Sequence, residues 1–318
     1  MSARVGSNAL LVQGAGGNTS LKRGDQLLVK TSGTWLADAC TREIFIALPR
    51  FESAGASAPN AEGLHPSIET ALHALMPHRV VIHAHAVNSM TTSVLEDGQR
   101  RAGHALDDRV RWAWVDYHRP GAPLAEAVVQ ALGSAPDVLL LQNHGVVVGA
   151  ETVAAAEQLL GDVERLLHLP ERSLPAPDAV RLAEGASDYF EPLLHASGLA
   201  LDPETAAIVS TTCFIPDQVV FLGGAIPLGR EGDIAADVAA RALETTGTAP
   251  VVVLIPGRGA YGARGRSSGA ESLIRAVIEI ARRLPLGAEV VGLTADQIRE
   301  LVGWDAEVHR QKLDRERG

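Results

Sequence analysis

The run "VVIHAHAVNSM" (residues 80–90) puts two histidines one residue apart inside an otherwise apolar segment. The segment reads as a strand, and residues two apart along a strand project from one face. His83 and His85 therefore stand side by side, at a separation from which two imidazoles can share one tetrahedral ion. For the pair alone the packed-core reading is favoured, each ring bonded to a backbone carbonyl, because such pairs are common and metal sites are rare.

A third histidine reverses that order. His144, in "LLLQNHGVVVGAE", sits at a break in another apolar run, and a glycine directly after it suits a strand end that turns sharply and presents the ring. Three histidines from strand ends are the usual protein share of a catalytic zinc site, with one position left open. The remaining histidines, among them His65, His73 and His309, lack this context and read as solvated or locally hydrogen-bonded. Glu69, in "GLHPSIETALH", opens the helix that precedes the histidine strand. Alone it is an N-terminal helix acid favoured by the macrodipole, with Ser67 nearby as a cap. Leading into the ligand strand, it is the carboxylate such a site wants.

From residue 10 to about residue 170, short apolar runs alternate with glycine-rich turns and amphipathic helices. "QLLVKTSG" reads as a strand, as does "DVLLLQNHGVVVG" with a break at its middle. "SIETALHALM" and "TVAAAEQLLGDVERLLHL" have helical spacing, so the class is α/β or α+β. The prolines of "LPERSLPAPDAV" (residues 169–180) mark a boundary. One unit is expected over residues 1–172 and a smaller α/β unit over residues 173–318. In the second, "QVVFLG" and "PVVVLIP" read as strands. Residues 233–243, "ESLIRAVIEIARRL" and "ADQIRELVGWDAEVHRQKL" read as helices.

With 318 residues, 46% hydrophobic and 21% charged, the chain can bury a sizeable core. A formal net charge of −10 argues against nucleic acid or an anionic membrane as main partner, and leaves a small anionic substrate open. The two cysteines form neither a metal spacing nor a disulfide framework, so a cytoplasmic setting is expected. No signal-peptide pattern opens the chain, and no apolar run approaches the roughly 20 residues that cross a bilayer.

"VVVLIPGRGAYGARGRSSGAES" contains G-x-G-x-x-G at Gly257, Gly259 and Gly262. The helix begins only near Ser268, too late for the third glycine to open it, and Glu279 lies within a helix instead of at a strand end. The dinucleotide reading is rejected, and no nicotinamide cofactor is expected. Arg258, Arg264 and Arg266 offer an anion contact, against which a solvated basic turn is the favoured reading.

"GAGGNTSLKRGDQLLVKTSGTWL", "HPSIETALHALMPHRVVIHAHAVNSM" and "LLLQNHGVVVGAETVAAAEQ", in that order over roughly residues 8–169, resemble the class II aldolase/adducin family. The resemblance implies a three-layer α/β/α sandwich around a mainly antiparallel central sheet, and a homo-oligomer, by family likeness a tetramer. It implies zinc, or another divalent ion, held by His83, His85 and His144. Glu69 would be a ligand or neighbour of the metal and the general base and acid. Gly17, Asn18, Ser32 and Gly33, with Ser67, would form a phosphate pocket, where glycines let backbone N–H groups approach an anion. Lys30 would add charge there, or is solvated as strand lysines often are. Tyr117, in "VDYHRPGAPLAEAV", matches a tyrosine that in some members protonates the leaving aldehyde oxygen in a neighbouring subunit. On its own residues it is equally an interface aromatic.

The implied activity is that of a zinc-dependent aldehyde-lyase. It would cleave a small hydroxylated carbonyl compound, a ketose phosphate foremost, by retro-aldol chemistry through a metal-stabilised enediolate. The same apparatus serves decarboxylation, dehydration or epimerisation. Ile68 departs from the pattern, because aldolases with a well-formed phosphate site often carry two small hydroxyl residues before the glutamate. A non-catalytic scaffold is the alternative from another class, although adducin-like members do not keep the histidine set. "PDQVVFLG" and "VVVLIPGRGAYG" resemble, more weakly, the middle region of long bacterial proteins that join a class II aldolase domain to a short-chain dehydrogenase.

Overall fold

The histidine run lies at the centre of a seven-stranded sheet. The structure, a computed structural model, describes residues 1–50 and 63–317. The sheet contains β1 (Asn18–Arg23), β2 (Gln26–Lys30), β3 (Phe45–Pro49), β4 (Val80–Ala84), β5 (Trp112–Val115), β6 (Val138–Leu141) and β7 (Gly145–Ala150). Its order is β3-β2-β1-β4-β7-β6-β5, and every neighbouring pair is antiparallel except β5 with β6. Helices α1 (Ser2–Gly6), α2 (Thr70–Leu75), α3 (Val87–Ser93), α4 (Gly98–Leu106), α5 (Ala122–Ala131) and α6 (Val153–Leu166) accompany it. This is the mixed α/β class, with a mainly antiparallel central sheet, that the sequence implies.

The alternation along each strand sends side chains to two cores. Val80, Ile82, Ala84, Leu140, Val146 and Val148 pack on one face with Leu106 of α4 and Leu160 and Val163 of α6. Val81, Leu139, Leu141 and Val147 pack on the other with Leu72 of α2 and Leu124 and Val128 of α5. Burial on both faces is why these strands read as continuous apolar runs. Each fully buried valine or leucine contributes about 1.5–3 kcal/mol, so the strand ends that carry the histidines rise from a firmly packed base.

Three residues, Gln142, Asn143 and His144, join the paired ends of β6 and β7. Asn143 has φ of 52°, in the left-handed region that asparagine tolerates better than most residues. Its Nδ2 donates to the carbonyls of Phe214 at 2.9 Å and Val291 at 2.8 Å. A Cβ at Gly145 would lie 2.4 Å from the Ala84 carbonyl oxygen, so the absence of a side chain lets the hairpin close on the end of β4.

The later part of the chain contains α7 (Ala179–Glu184), β8 (Phe190–Pro192), α8 (Gly198–Leu201), α9 (Pro203–Thr211), α10 (Pro216–Leu222) and α11 (Ala235–Thr246). After them come β9 (Val252–Ile255), β10 (Gly259–Ala263), α12 (Ser268–Ala281), α13 (Ala295–Leu301) and α14 (Asp305–Arg317). The three strands form an antiparallel sheet, β8-β10-β9. Gly257, Gly259 and Gly262 fall in the β9–β10 hairpin, and α12 starts only at Ser268.

Two expectations are corrected. "QVVFLG" is not a strand but most of α10, opened by Pro216 at its first position with Asp217 beside it, and closed by Gly223 at φ 85°. Every residue of α10 is buried, so no polar face marks the helical period. The single helix expected at the end is broken into α13 and α14, with Gly303 at φ 76° between them.

The later region packs directly beneath the site. Val87, Met90 and Val94 of α3, the helix that follows His85, share one apolar cluster with Leu199, Phe214, Leu273 and Val277. Glu164 of α6 accepts the α3 amides of Asn88 at 3.0 Å and Ser89 at 2.9 Å, which fixes that helix start. Among the described residues no single helix is long and apolar enough to cross a membrane.

Candidate metal centre

Four side chains from three elements converge. Strand β4 delivers His83, and the residue just past its end delivers His85; the β6–β7 tip delivers His144 and the start of α2 delivers Glu69. The ring centroids of the three histidines are 5.0, 4.9 and 5.2 Å apart, and one nitrogen from each lies within 4.8 Å of the others. His83 Nδ1 donates to the Val146 carbonyl at 3.1 Å, leaving Nε2 with its lone pair. Burial holds His83 well below the usual imidazole range, so the ring stays neutral and able to ligate.

His83 Nε2 faces His85 Nε2 at 3.1 Å, while His85 Nδ1 faces Asp217 Oδ2 at 3.2 Å. With both Nδ1 atoms turned to acceptors, two lone pairs point at each other, an arrangement that a cation relieves. The edge of a zinc tetrahedron is about 3.3 Å, close to this separation. Glu69 Oε2 lies 3.3 Å from His83 Nε2 and Oε1 lies 3.2 Å from His144 Nε2. Glu69 Oε1 is buried and has no hydrogen-bond partner among the described residues. Three imidazoles and a carboxylate oxygen left over in a buried space are a donor set that fits a divalent cation.

The surrounding polar groups orient the carboxylate. Asn18 lies beside His83 in the β1–β4 register, and its Nδ2 donates to Glu69 Oε2 at 2.8 Å and Ser67 Oγ at 3.1 Å. His73 donates from Nε2 to Asn18 Oδ1, and its Nδ1 meets Ser20 Oγ at 2.8 Å. Burial pushes His73 down to about 3, so it holds Asn18 as a neutral ring. Gly17, at φ 59°, brings the chain so close to β4 that a Cβ would lie 2.9 Å from the His83 carbonyl oxygen.

Gly17, Asn18, Ser32, Gly33 and Ser67 line one narrow cavity together with Glu69, His85 and His144. Lys30 lines it too, and the solvated reading of that lysine is corrected. It is fully buried, with Nζ donating to the carbonyls of Ala15 at 2.9 Å and Thr34 at 2.7 Å. Burial first, and then the Arg310 charge, push its ammonium down to about 7.

Other candidate residues lie elsewhere. The Tyr117 hydroxyl is buried without a partner among the described residues, its ring packing with Cys213, Val219, Leu293 and Leu301 outside the cavity wall. Arg258 donates to the Asp233 carbonyl at 2.7 Å, Arg264 pairs with Glu191 at 3.0 Å, and Arg266 pairs with Glu191 at 2.7 Å and Glu271 at 2.9 Å. None of the three arginines lines the cavity.

Three residues escape sequence reasoning. Asp217 of α10 meets His85, Arg310 of α14 binds Asp217 at 3.0 Å, and Glu307 receives Arg310 at 3.0 and 2.8 Å. Helix α14 also covers the Ser32–Gly33 turn, where a Cβ on Gly33 would lie 2.3 Å from Leu313 Cδ1. Arg317 at its end pairs with Asp38 and stacks on Trp35, 4.3 Å from the ring centroid. The Pro-Asp pair is a readable helix start; Arg310 carries no local signal in the charged run "DAEVHRQKLDRER".

Comparison with known proteins follows the same residues. The profile of the Class II Aldolase and Adducin N-terminal domain matches residues 3–169. A stretch of 89 residues, 27% of the chain, is 33% identical to the uncharacterized oxidoreductase YuxG of Bacillus subtilis (strain 168), and spans only 13% of that relative. The N-terminal class II aldolase domain of a conserved protein from Thermoplasma acidophilum is 24% identical, with 52% of this chain and 90% of that one covered and a TM-score of 0.43. L-fuculose-1-phosphate aldolase from Thermus thermophilus is 21% identical, with 52% and 88% covered and a TM-score of 0.39. Neither superposition, below 0.5, adds to what the profile shows. That profile runs over more than half of the chain and through Gly17, Glu69 and all three histidines, and the chain belongs to the class II aldolase and adducin family.

Proposed function

We propose that the protein is a zinc-dependent lyase that breaks a carbon–carbon bond in a small hydroxylated carbonyl compound, with a ketose phosphate as first substrate class. Residues 1–172 would carry the metal and the proton transfer, in a cytoplasmic homo-oligomer, and residues 173–318 would complete the wall of the site. The observation that carries this reading is the convergence of three buried imidazoles on Glu69, whose oxygens lie 3.3 and 3.2 Å from two of them. Family membership supports metal-dependent, aldolase-like chemistry.

His83, His85 and His144 would hold the ion. When bound, a divalent ion supplies Lewis-acid stabilisation of negative charge developing on a substrate carbonyl oxygen. Glu69 would take and return the proton, held in place by Asn18 Nδ2 at 2.8 Å. Gly17, Asn18, Ser32, Gly33 and Ser67 would receive the anionic end of the substrate, and Lys30 would add charge whenever it is protonated. Tyr117, which does not line its own cavity, would enter this reading only as a proton donor for the site of a neighbouring subunit.

The test is retro-aldol and aldol turnover with dihydroxyacetone phosphate and a panel of aldehydes, before and after metal removal by a chelator. Turnover that chelation abolishes and zinc restores is expected; activity indifferent to the chelator would sink the proposal. A second reading keeps the site and changes the bond broken, to decarboxylation, dehydration or epimerisation. It is favoured by Leu313, which crowds Gly33 and leaves less room for a phosphomonoester. Loss of carbon dioxide from a β-keto acid, with no turnover of any aldehyde, would select it.

A further inference from the structure

One of the three histidines is held from outside the family-matched residues. His85 Nδ1 lies 3.2 Å from Asp217 Oδ2, and Asp217 belongs to α10. The other oxygen of Asp217 accepts from Arg310 at 3.0 Å, and Arg310 in turn forks onto Glu307. All three charged residues are buried, Asp217 at 3% exposure. Taking such groups out of water is costly for each ion, so their retention needs a reason beyond packing.

Two details say where the reason lies. First, Arg310 serves only one oxygen of Asp217 among its described contacts, and the other, Oδ2, is buried and lies 3.2 Å from His85 Nδ1. Second, a Cβ at residue 16 would lie 2.6 Å from His85 Nδ1 and 2.8 Å from Asp217 Oδ2. The two side chains meet in space that only a glycine leaves free. The tautomer of His83 is set by a backbone carbonyl, at Val146, whereas His85 has a carboxylate.

We propose that Asp217 is the positioning residue of the metal centre: it accepts the Nδ1 proton of His85 and so directs the Nε2 lone pair at the ion. Arg310, shared with Glu307, holds the carboxylate in that pose. The inference rests on reading the three histidines as metal ligands, and it makes α10 and α14 part of the centre. Without the acceptor, the ring is free to rotate or to carry its proton on Nε2, and a protonated nitrogen cannot ligate. Partners of this kind change metal affinity by about 10–100-fold.

The experiment titrates Co²⁺ and Zn²⁺ into the metal-free full chain, reading the dissociation constant by competition with a chromophoric chelator and the visible bands of the cobalt complex. Asp217→Asn should bind about 10–100-fold more weakly with shifted cobalt bands, and Asp217→Glu should recover part of the loss. Asp97→Asn, which removes a carboxylate paired with Arg101 on α4 and outside the cavity lining, should match the unaltered chain. Unchanged affinity and spectrum in folded Asp217→Asn would overturn the positioning role. No metal uptake by the unaltered chain would instead overturn the metal reading beneath it. If Asp217→Asn does not fold, Gly16→Ala takes its place. That change puts a methyl group between the same two side chains, with the same expected loss and the same refutation.

Discussion

Replacing Asn143 by alanine tests how the later region fixes the turn that presents His144. Asn143 Nδ2 makes two bonds, to the carbonyls of Phe214 and Val291, in a place closed to water. Losing the donor leaves both carbonyls without it, at about 1–2 kcal/mol each. The residue also sits at φ 52°, where an alanine costs roughly 1–2 kcal/mol more than it would in a right-handed conformation. Together these give a destabilisation of about 3–6 kcal/mol. Asn143→Gly removes the same bonds but relieves the backbone, so it should cost about 1 kcal/mol less than alanine. Urea unfolding of the metal-free proteins, followed by circular dichroism and by tryptophan fluorescence, measures both variants. A loss below about 1 kcal/mol for alanine would refute the idea that these two bonds hold the turn. Glycine as costly as alanine would refute the backbone share.

The other expectations concern the site itself. His83→Ala and His144→Ala should each abolish metal binding in the purified protein, read by elemental analysis; a full equivalent of zinc in either would remove that histidine from the ligand set. Glu69→Gln should keep much of the metal and lose turnover by about 10²–10⁴-fold, since general base catalysis contributes that much. Near-normal rates would show that another group moves the proton. Lys30 titrates at about 7 in the folded chain against 10.5 unfolded, so between those values the unfolded chain holds the extra proton and stability rises with pH. Relative to Lys30→Met, the unaltered chain should therefore gain up to about 1.4 kcal/mol per pH unit between pH 7.5 and 9.5, and parallel urea midpoints would contradict it.

The candidate metal centre is legible because its proposed ligands sit where strands end. A histidine pair inside "VVIHAHAV" and a histidine followed by glycine are local anomalies in apolar runs, and local anomalies survive in sequence. The lysine at position 30 misleads for the opposite reason. Nothing near it shows that two carbonyls, Ala15 and Thr34, are waiting to receive an ammonium in the interior. "QVVFLG" misleads because a helix buried on every side shows the same unbroken apolar run as a buried strand. Asp217 and Arg310 depend on partners far along the chain, and no spacing rule reaches across such distances.

Arg317 and Asp38 are 279 residues apart in the chain, and with Leu313 on Gly33 they close α14 over the cavity. Contacts between such distant residues form late in folding, because a long loop must be closed before any of them rewards the closure. Glu69, His83, His85 and His144 are far nearer one another in sequence and can gather earlier. We therefore expect a stage in folding at which the proposed ligands are assembled and the cover is not yet in place. Which cation it carries would then be decided by what the chain meets during its own maturation. Cobalt added before refolding should enter faster than cobalt added to the finished fold, and equal rates in stopped-flow absorbance would rule this out.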